Sequence, residues 1–214
     1  MTTADHEHQP VLTAGAPLAD ATAAVILLHG RGASAGDILP IAEKLPHENV
    51  AYLAPQADGN AWYPRSGFGP LEANEPYLTS ARNTITGLIQ QVTDAGIPLE
   101  KLFIGGFSQG ACLASEYVAE NPKRYGGLFV LSGAMMGPMD RDHGFTGSVD
   151  GMPVFIGGVD NDSWVTPAQF ELTRDLLATL GAQVTLQVLA GSDHSIRDSE
   201  LAHIRQMIAG AGGA

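Results

Sequence analysis

The sequence predicts an α/β protein with a mostly parallel sheet and helices on both of its faces. Short, continuous apolar runs, such as AAVILL at 23–28 and GLFVL at 127–131, are typical of strands that are buried on both faces. Segments with apolar residues at helical spacing, such as the one at 77–95, lie between these runs. Strands that alternate with helices pair in parallel through right-handed crossovers, and a site then lies at the carboxyl ends of the strands.

The elements alternate along the chain in this order. A helix is predicted from Ser34 to about Leu45, because Ser34 and Asp37 form a capping-box pattern. The Gly- and Pro-rich segment 56–76 is too long for a simple connection, so we interpret it as a binding loop. The strands are predicted at 23–28, 50–53, 102–104, 127–131, 153–156 and 183–189. Later helices are predicted at 77–95, directly after Ser108, from Thr166-Pro167 onwards, and in the segment that contains Leu201, Ile204 and Ile208.

The length of 214 residues suits one domain, which we place at 10–210 with flexible tails at 1–9 and 211–214. A formal charge of −12 repels phosphate backbones and anionic membranes, which excludes nucleic acid as a partner. No apolar run approaches the length that crosses a bilayer, and the polar start lacks the layout of a signal peptide. We therefore expect no membrane insertion and a cytoplasmic location.

Cys112 is the only cysteine, so no internal disulfide forms.

The segment KLFIGGFSQGACLA at 101–114 predicts a strand, a sharp turn and a helix. At such a turn Ser108 adopts a strained backbone, and its hydroxyl projects from the end of the strand. A side chain two positions before or after it would collide with neighbouring elements, which explains Gly106 and Gly110. The five-residue pattern alone arises by chance in glycine-rich chains, so the strand and helix around it carry the prediction. We expect Ser108 to be a nucleophile.

A serine nucleophile needs an imidazole to take its proton and a carboxylate to orient that imidazole. His194 follows a predicted strand in a Gly-Ser-Asp-His turn, where its ring can lie over the end of the sheet. Asp160 and Asp162 both follow the strand at 153–156, and either one could instead bond backbone amides within its loop. We favour Asp162 as the acid.

The tetrahedral intermediate of acyl transfer needs two backbone amides that face its oxyanion. One belongs to the residue after the nucleophile, Gln109, and the other to the loop after the early strand, at Arg31. Gly30 and Gly32 flank Arg31 and allow a close approach of the backbone to a substrate, although the same glycines also fit a tight turn before a helix.

With these motifs collected, the chain resembles the phospholipase/carboxylesterase family of α/β hydrolases, which includes acyl-protein thioesterases. LLHGRGASAGD at 27–37 looks like the oxyanion motif of that family, GFSQGA at 106–111 its nucleophile elbow, and 191–194 its histidine turn. The resemblance implies the α/β-hydrolase fold and the same nucleophile, base and oxyanion amides. The short connections leave no insert for a separate lid, so we expect an open site. It also favours Asp162, although the loop here has Trp164 and an additional Thr166 and lacks the His-Gly that precedes the acid in many members.

The resemblance further places an aromatic pair, Trp62 and Tyr63, near the acyl pocket. We therefore predict an apolar pocket wall formed by Trp62, Tyr63, Phe68, Met135, Met136 and Trp164. For Met135 and Met136, packing in the core is the alternative. The predicted function is hydrolysis of small, soluble carboxylic esters without a metal or organic cofactor. Thioesters or lysophospholipids are the alternative substrates, and a non-catalytic binding module is the alternative class. Apolar residues near an open site make a homodimer a candidate assembly.

Overall fold

A computed structural model of the chain describes residues 5–46 and 48–211. One seven-stranded sheet runs through it in the order β1-β3-β2-β4-β5-β6-β7. Only the edge strand β1 is antiparallel to its neighbour, and every other pair is parallel. The strands are β1 (Val11–Gly15), β2 (Ala23–Leu28), β3 (Val50–Pro55), β4 (Leu102–Phe107), β5 (Gly127–Leu131), β6 (Pro153–Val159) and β7 (Gln183–Leu189). This sheet confirms the predicted fold class.

Helices cover both faces of the sheet, as the buried apolar strands require. The α-helices are α1 (Ala35–Ile38), α2 (Tyr77–Asp94), α3 (Gln109–Glu120), α4 (Pro167–Thr179) and α5 (Asp198–Ala211). One apolar core packs α2, α3 and α4 against the sheet, and a second core packs α1 and α5 against the opposite face. Among the described residues, no helix combines the length and the apolar character needed to cross a membrane.

The first helix differs from its prediction. The capping box holds, since the backbone N–H of Ser34 donates to Asp37 Oδ2 at 2.8 Å. After Ile38, however, the helix tightens into 3₁₀ geometry over Leu39–Lys44. Pro40 lies in the first turn of that segment and has no N–H to continue the α-helical pattern, which accounts for the change.

Within the predicted tail at 1–9, the structure differs from the prediction at His6. His6 is buried, with 1% of its surface exposed. Its backbone N–H donates to Ser80 Oγ at 3.0 Å, its Nε2 lies 3.0 Å from the carbonyl oxygen of Trp62, and its Nδ1 accepts the N–H of Asp58 at 2.9 Å. His6 therefore fixes the start of the chain against the 56–76 loop. Residues 1–4 and 212–214 of the predicted tails lie outside the described residues, and Ala211 ends α5.

Candidate active site

Ser108 sits between β4 and α3 in a strained backbone conformation, with φ 54° and ψ −118°. Positive φ is rare for a residue with a side chain and persists only where the surroundings enforce it. Here the N–H of Ser108 donates to the carbonyl oxygen of Leu131 at 2.8 Å, and its own carbonyl oxygen accepts the N–H of Cys112 at 3.0 Å. The structure thus forms the sharp turn that the sequence predicts.

The two glycines of the turn pack directly on the end of β2. A Cβ at Gly106 or at Gly110 would collide with the carbonyl oxygen of Leu28. A Cβ at Gly110 would also lie 2.6 Å from the carbonyl oxygen of His29. Because real Cβ atoms do not approach so closely, only glycine lets the turn contact the loop that begins at His29.

His194 Nδ1 lies 2.7 Å from Asp162 Oδ2. The carboxylate of Asp162 is fully buried, and the imidazole is 21% exposed. Asp162 Oδ1 also accepts the backbone N–H groups of Trp164 and Val165, at 2.7 and 3.2 Å. The carboxylate is therefore held from two sides, and it favours the tautomer of His194 that carries its proton on Nδ1.

Asp160 makes different contacts from Asp162. Its Oδ1 accepts the N–H of Gly191 at 3.0 Å and the side-chain amide of Asn161 at 3.0 Å. Asp160 consequently connects the loop after β6 to the turn after β7 that carries His194, without contacting the ring through these bonds. Of the two aspartates that the sequence left open, the structure brings Asp162 to the histidine.

The ring of His194 packs on Phe107, the residue before Ser108, with 4.8 Å between the ring centroids. Ser108 and His194 also line the same cavity. Arg31 and Gln109 line the cavity as well, and among the described residues neither backbone N–H donates to a protein acceptor. The groups predicted from three separate strand ends are thus brought into one site.

The side chains of Gln109 and Arg31 also hold the 56–76 loop. Gln109 Oε1 accepts the N–H of Trp62 at 2.9 Å, while its Nε2 donates to the carbonyl oxygen of Tyr63 at 2.8 Å. The guanidinium of Arg31 donates to the carbonyl oxygens of Pro64 and Arg65 at 3.0 and 2.6 Å. This function of the two side chains was not predicted from the sequence.

His29, which directly follows β2, also bonds to the 56–76 loop. Its Nδ1 lies 2.8 Å from the carbonyl oxygen of Gly30, and its Nε2 accepts the N–H of Ala57 at 3.0 Å. Burial lowers the pKa of His29, so the neutral ring that accepts from Ala57 is favoured. The position of His29 beside the site agrees with a structural hydrogen-bonding role.

The cavity at Ser108 has a volume of about 580 Å³. Of the predicted wall, Tyr63, Phe68 and Trp164 line it. Other lining residues come from the same strand ends and loops: Gly30, Arg31, Ala33, Pro64, Arg65, Ser66, Gly67, Phe107, Gln109, Cys112, Ser132, Ser163 and Val165. Trp164 is 72% exposed, which places it at the mouth.

The predicted wall is wrong at Trp62 and Met135, which do not line the cavity and are buried in the core with Met136. Trp62 turns inward because its Nε1 donates to the carbonyl oxygen of His29 at 2.9 Å. Met135 is fixed by its backbone, whose N–H donates to Thr173 Oγ1 at 2.7 Å.

Cys112 lines the cavity but does not have the environment of a reactive thiol. Burial raises its pKa to about 11, which keeps it as a neutral thiol near neutral pH. The buried hydroxyl of Tyr63 beside it likewise has a pKa well above its usual range. Within the described part of the chain, no group of three or more His, Cys, Asp or Glu residues is placed to hold a metal ion.

A seven-stranded, mostly parallel sheet with a serine at a strained strand-to-helix turn defines the α/β hydrolases, and the molecule is one of them. More narrowly, the chain belongs to the phospholipase/carboxylesterase family, whose sequence model matches residues 13–211. It is 30% identical to acyl-protein thioesterase 1 of Candida albicans, over 88% of this chain and 91% of that protein.

Solved structures agree with this membership. The crystal structure of a phospholipase/carboxylesterase from Dyadobacter fermentans is similar, with a TM-score of 0.90 and 33% identity over 98% of this chain and 99% of that one. A Bacillus cereus carboxylesterase is similar in fold, with a TM-score of 0.75 and 20% identity over 95% of both chains. The family is therefore one of hydrolases that includes esterases and thioesterases.

Proposed function

We propose that the protein is a serine carboxylesterase in which Ser108, His194 and Asp162 form the catalytic triad. The observation that carries this proposal is the 2.7 Å contact between His194 and the buried Asp162, at the cavity that Ser108 also lines. A histidine that donates from Nδ1 has Nε2 free to accept a proton, which is what a serine hydroxyl requires in order to attack a carbonyl.

In the first half of the reaction, Ser108 Oγ bonds to the acyl carbon while its proton passes to His194 Nε2. The negative charge that forms on the former carbonyl oxygen is stabilised by the backbone N–H groups of Arg31 and Gln109. The ester C–O bond then breaks, and the imidazolium returns the proton to the leaving alcohol. The buried carboxylate of Asp162 stabilises the transient positive charge on His194.

In the second half, water attacks the acyl-enzyme, with His194 as the base. The same two amides stabilise the second tetrahedral intermediate, and its collapse releases the carboxylic acid and restores the hydroxyl of Ser108. Each step uses groups of the chain and water, so the proposal needs no metal or organic cofactor.

A fluorophosphonate probe tests the nucleophile. The proposal expects one equivalent of label, located on Ser108 by peptide mass spectrometry, and loss of both label and p-nitrophenyl butyrate hydrolysis in Ser108→Ala. Ser195→Ala is the matched control. Ser195 follows His194 in the sequence, but its Oγ donates to Asp193 Oδ2 at 2.7 Å, so this variant should keep both the label and the activity. Label on a different residue contradicts the choice of Ser108 as the nucleophile. A folded protein that takes no label contradicts the esterase proposal and favours a binding module.

Thioester hydrolysis is the second candidate activity, and the acyl-protein thioesterase relative supports it. The cavity of about 580 Å³ is in the size range of pockets that bind small molecules, and Trp164 lies at its mouth. Parallel series of p-nitrophenyl esters and acyl thioesters from two to sixteen carbons separate the two activities. A kcat/KM that rises steadily with chain length for thioesters alone favours the second candidate.

A further inference from the structure

The charge that lines the cavity is opposite to the charge of the whole protein. The chain carries a formal charge of −12, with 23 acidic and 11 basic residues. Yet the described residues that line the cavity include two arginines, Arg31 and Arg65, and no aspartate or glutamate. Fixed charges of one sign in a cleft attract a ligand of the other sign.

The acidic groups of the site loops are already bonded. Asp162 is fully buried against His194, and Asp160 accepts from Gly191 and Asn161. Asp193 pairs with Arg197 at 2.6 Å. These contacts leave Arg31 and Arg65 as the formal charges of the cavity lining.

The two arginines differ in what they can offer a ligand. The guanidinium of Arg31 is engaged by the carbonyl oxygens of Pro64 and Arg65 and lies over the ring of Tyr63, 5.8 Å from its centroid. The guanidinium of Arg65 makes no hydrogen bond, ion pair or ring contact with any described residue. Its backbone, in contrast, is fixed at both polar atoms, because its N–H donates to Asn74 Oδ1 at 2.8 Å and its carbonyl oxygen accepts from Arg31. Arg65 thus lines the cavity and combines a fixed backbone with an unpaired side-chain cation.

We infer that the preferred ester carries a carboxylate, which Arg65 binds while Ser108 attacks the ester carbonyl. This inference rests on the proposed esterase function and adds a substrate class to it, the half-ester of a dicarboxylic acid or an ester of a hydroxy acid. A planar guanidinium pairs well with a carboxylate, and the neighbouring charge of Arg31 adds attraction. Phe68 and Trp164 contact the apolar part of the same substrate.

Two pairs of esters test the inference, and within each pair the free carboxylate of one member is a methyl ester in the other. In the first pair, p-nitrophenyl hydrogen adipate carries the carboxylate on the acyl side, and p-nitrophenyl methyl adipate is its neutral counterpart. In the second pair, 4-acetoxybenzoate carries it on the alcohol side, with methyl 4-acetoxybenzoate as the counterpart. Each kcat/KM is divided by the hydroxide-catalysed rate of the same ester, which removes differences in intrinsic reactivity.

For the wild type, we expect the anionic member of one pair to be preferred by about tenfold, as one charge-assisted hydrogen bond allows. Arg65→Gln should abolish this preference and Arg65→Lys should keep part of it, and added salt should weaken it in the wild type. Lys123→Gln also removes one positive charge, but it lies between α3 and the amino end of β5, away from the cavity, and should keep the preference.

The outcomes separate the inference from the function on which it rests. Hydrolysis that depends on Ser108, with equal or better use of the neutral ester in both pairs, overturns the carboxylate inference and leaves the esterase function intact. An anion preference that survives Arg65→Gln overturns the assignment to Arg65. Hydrolysis of none of the four esters by the folded wild type overturns the esterase proposal, and this inference with it.

Discussion

Asp160 accepts the backbone N–H of Gly191 at 3.0 Å, which joins the loop after β6 to the turn that carries His194. The neighbouring Asp162 instead contacts the ring of His194 itself at 2.7 Å. Two carboxylates that are two residues apart thus serve the same histidine in different ways: Asp160 holds the turn that carries it, and Asp162 holds its side chain. Their substitutions should separate accordingly.

Asp162→Asn should reduce kcat for p-nitrophenyl butyrate by about 10³–10⁴-fold, because an amide no longer favours the required tautomer or stabilises the imidazolium. Asp160→Asn retains an oxygen that can accept from Gly191, so we expect a change within about threefold, smaller than the effect of one lost hydrogen bond. Steady-state kinetics with active-site titration measure both. A larger loss of kcat in Asp160→Asn than in Asp162→Asn would show that Asp160, and not Asp162, is the acid of the triad.

Gly110→Ala should lower the free energy of unfolding by about 1–3 kcal/mol, as overpacking does. The added methyl group would collide with the carbonyl oxygens of Leu28 and His29, and it would push on the loop that supplies the amide of Arg31. Urea denaturation measures the stability. The matched control is Gly87→Ala in α2, where an added Cβ meets no atom within 4 Å. That control should be neutral or stabilising by about 0.5–1 kcal/mol, since glycine weakens helices. Equal destabilisation by both substitutions would contradict this account of Gly110.

The strand ends of this molecule could be predicted from the sequence because the signals there are local. The apolar run at 23–28, the two glycines around Ser108 and the turn before His194 each specify a short conformation, and parallel topology brings the three together. The choice between Asp160 and Asp162 depends on which loop atom reaches a turn about 30 residues later. The residue pattern within the loop does not tell which of the two carboxylates comes within hydrogen-bond distance of His194.

Other features escaped prediction because they depend on contacts distant in sequence. His6 is buried by bonds to Asp58, Trp62 and Ser80, and its own surroundings in the sequence are polar. The edge strand β1 is largely exposed and has no continuous apolar pattern. Aromatic character predicts burial at Trp62 but not the direction in which its ring points, so the cavity wall was predicted only in part.

Gln109→Ala should lower the free energy of unfolding by about 2 kcal/mol, because it leaves the buried N–H of Trp62 and the carbonyl oxygen of Tyr63 without partners. The side chain of Gln109 supports the 56–76 loop, so the variant should also lose part of its esterase activity while its backbone amide remains. Gln90→Ala, on the exposed face of α2, removes a comparable side chain and should change neither quantity. If urea denaturation gave the two variants the same free energy of unfolding, the side chain of Gln109 would not hold the loop.

Stability should fall as the pH is lowered below the usual histidine pKa of about 6.5. Burial lowers the pKa of His6 and of His29 in the folded protein. The unfolded chain therefore binds more protons in this window, and linkage makes folding less favourable as the pH falls from the unfolded pKa towards the folded values. Protonation would also remove the acceptors for the N–H groups of Asp58 and Ala57.

Urea denaturation of the wild type and of His6→Asn between pH 5 and pH 8 tests this pH dependence. Asparagine keeps an oxygen near the position of Nδ1 without titrating, so His6→Asn should have a shallower loss of stability on the acid side. The control is His8→Asn at an exposed residue, and it should retain the loss. Identical slopes for the wild type and His6→Asn would exclude His6 as a source of the acid sensitivity.

Trp164→Ala should leave the free energy of unfolding unchanged, because the residue is already 72% exposed in the folded protein. The same residue lines the cavity at Ser108, so an acyl chain that leaves the cavity would cover part of the indole. Each methylene that loses contact weakens binding by up to about 0.8 kcal/mol. We therefore expect kcat/KM to fall several-fold for p-nitrophenyl octanoate and little for p-nitrophenyl acetate. Met139→Ala, at another exposed apolar residue that does not line the cavity, should leave both esters unaffected. A uniform loss for both esters in Trp164→Ala would indicate a disturbed Asp162 loop, since the N–H of Trp164 donates to that carboxylate.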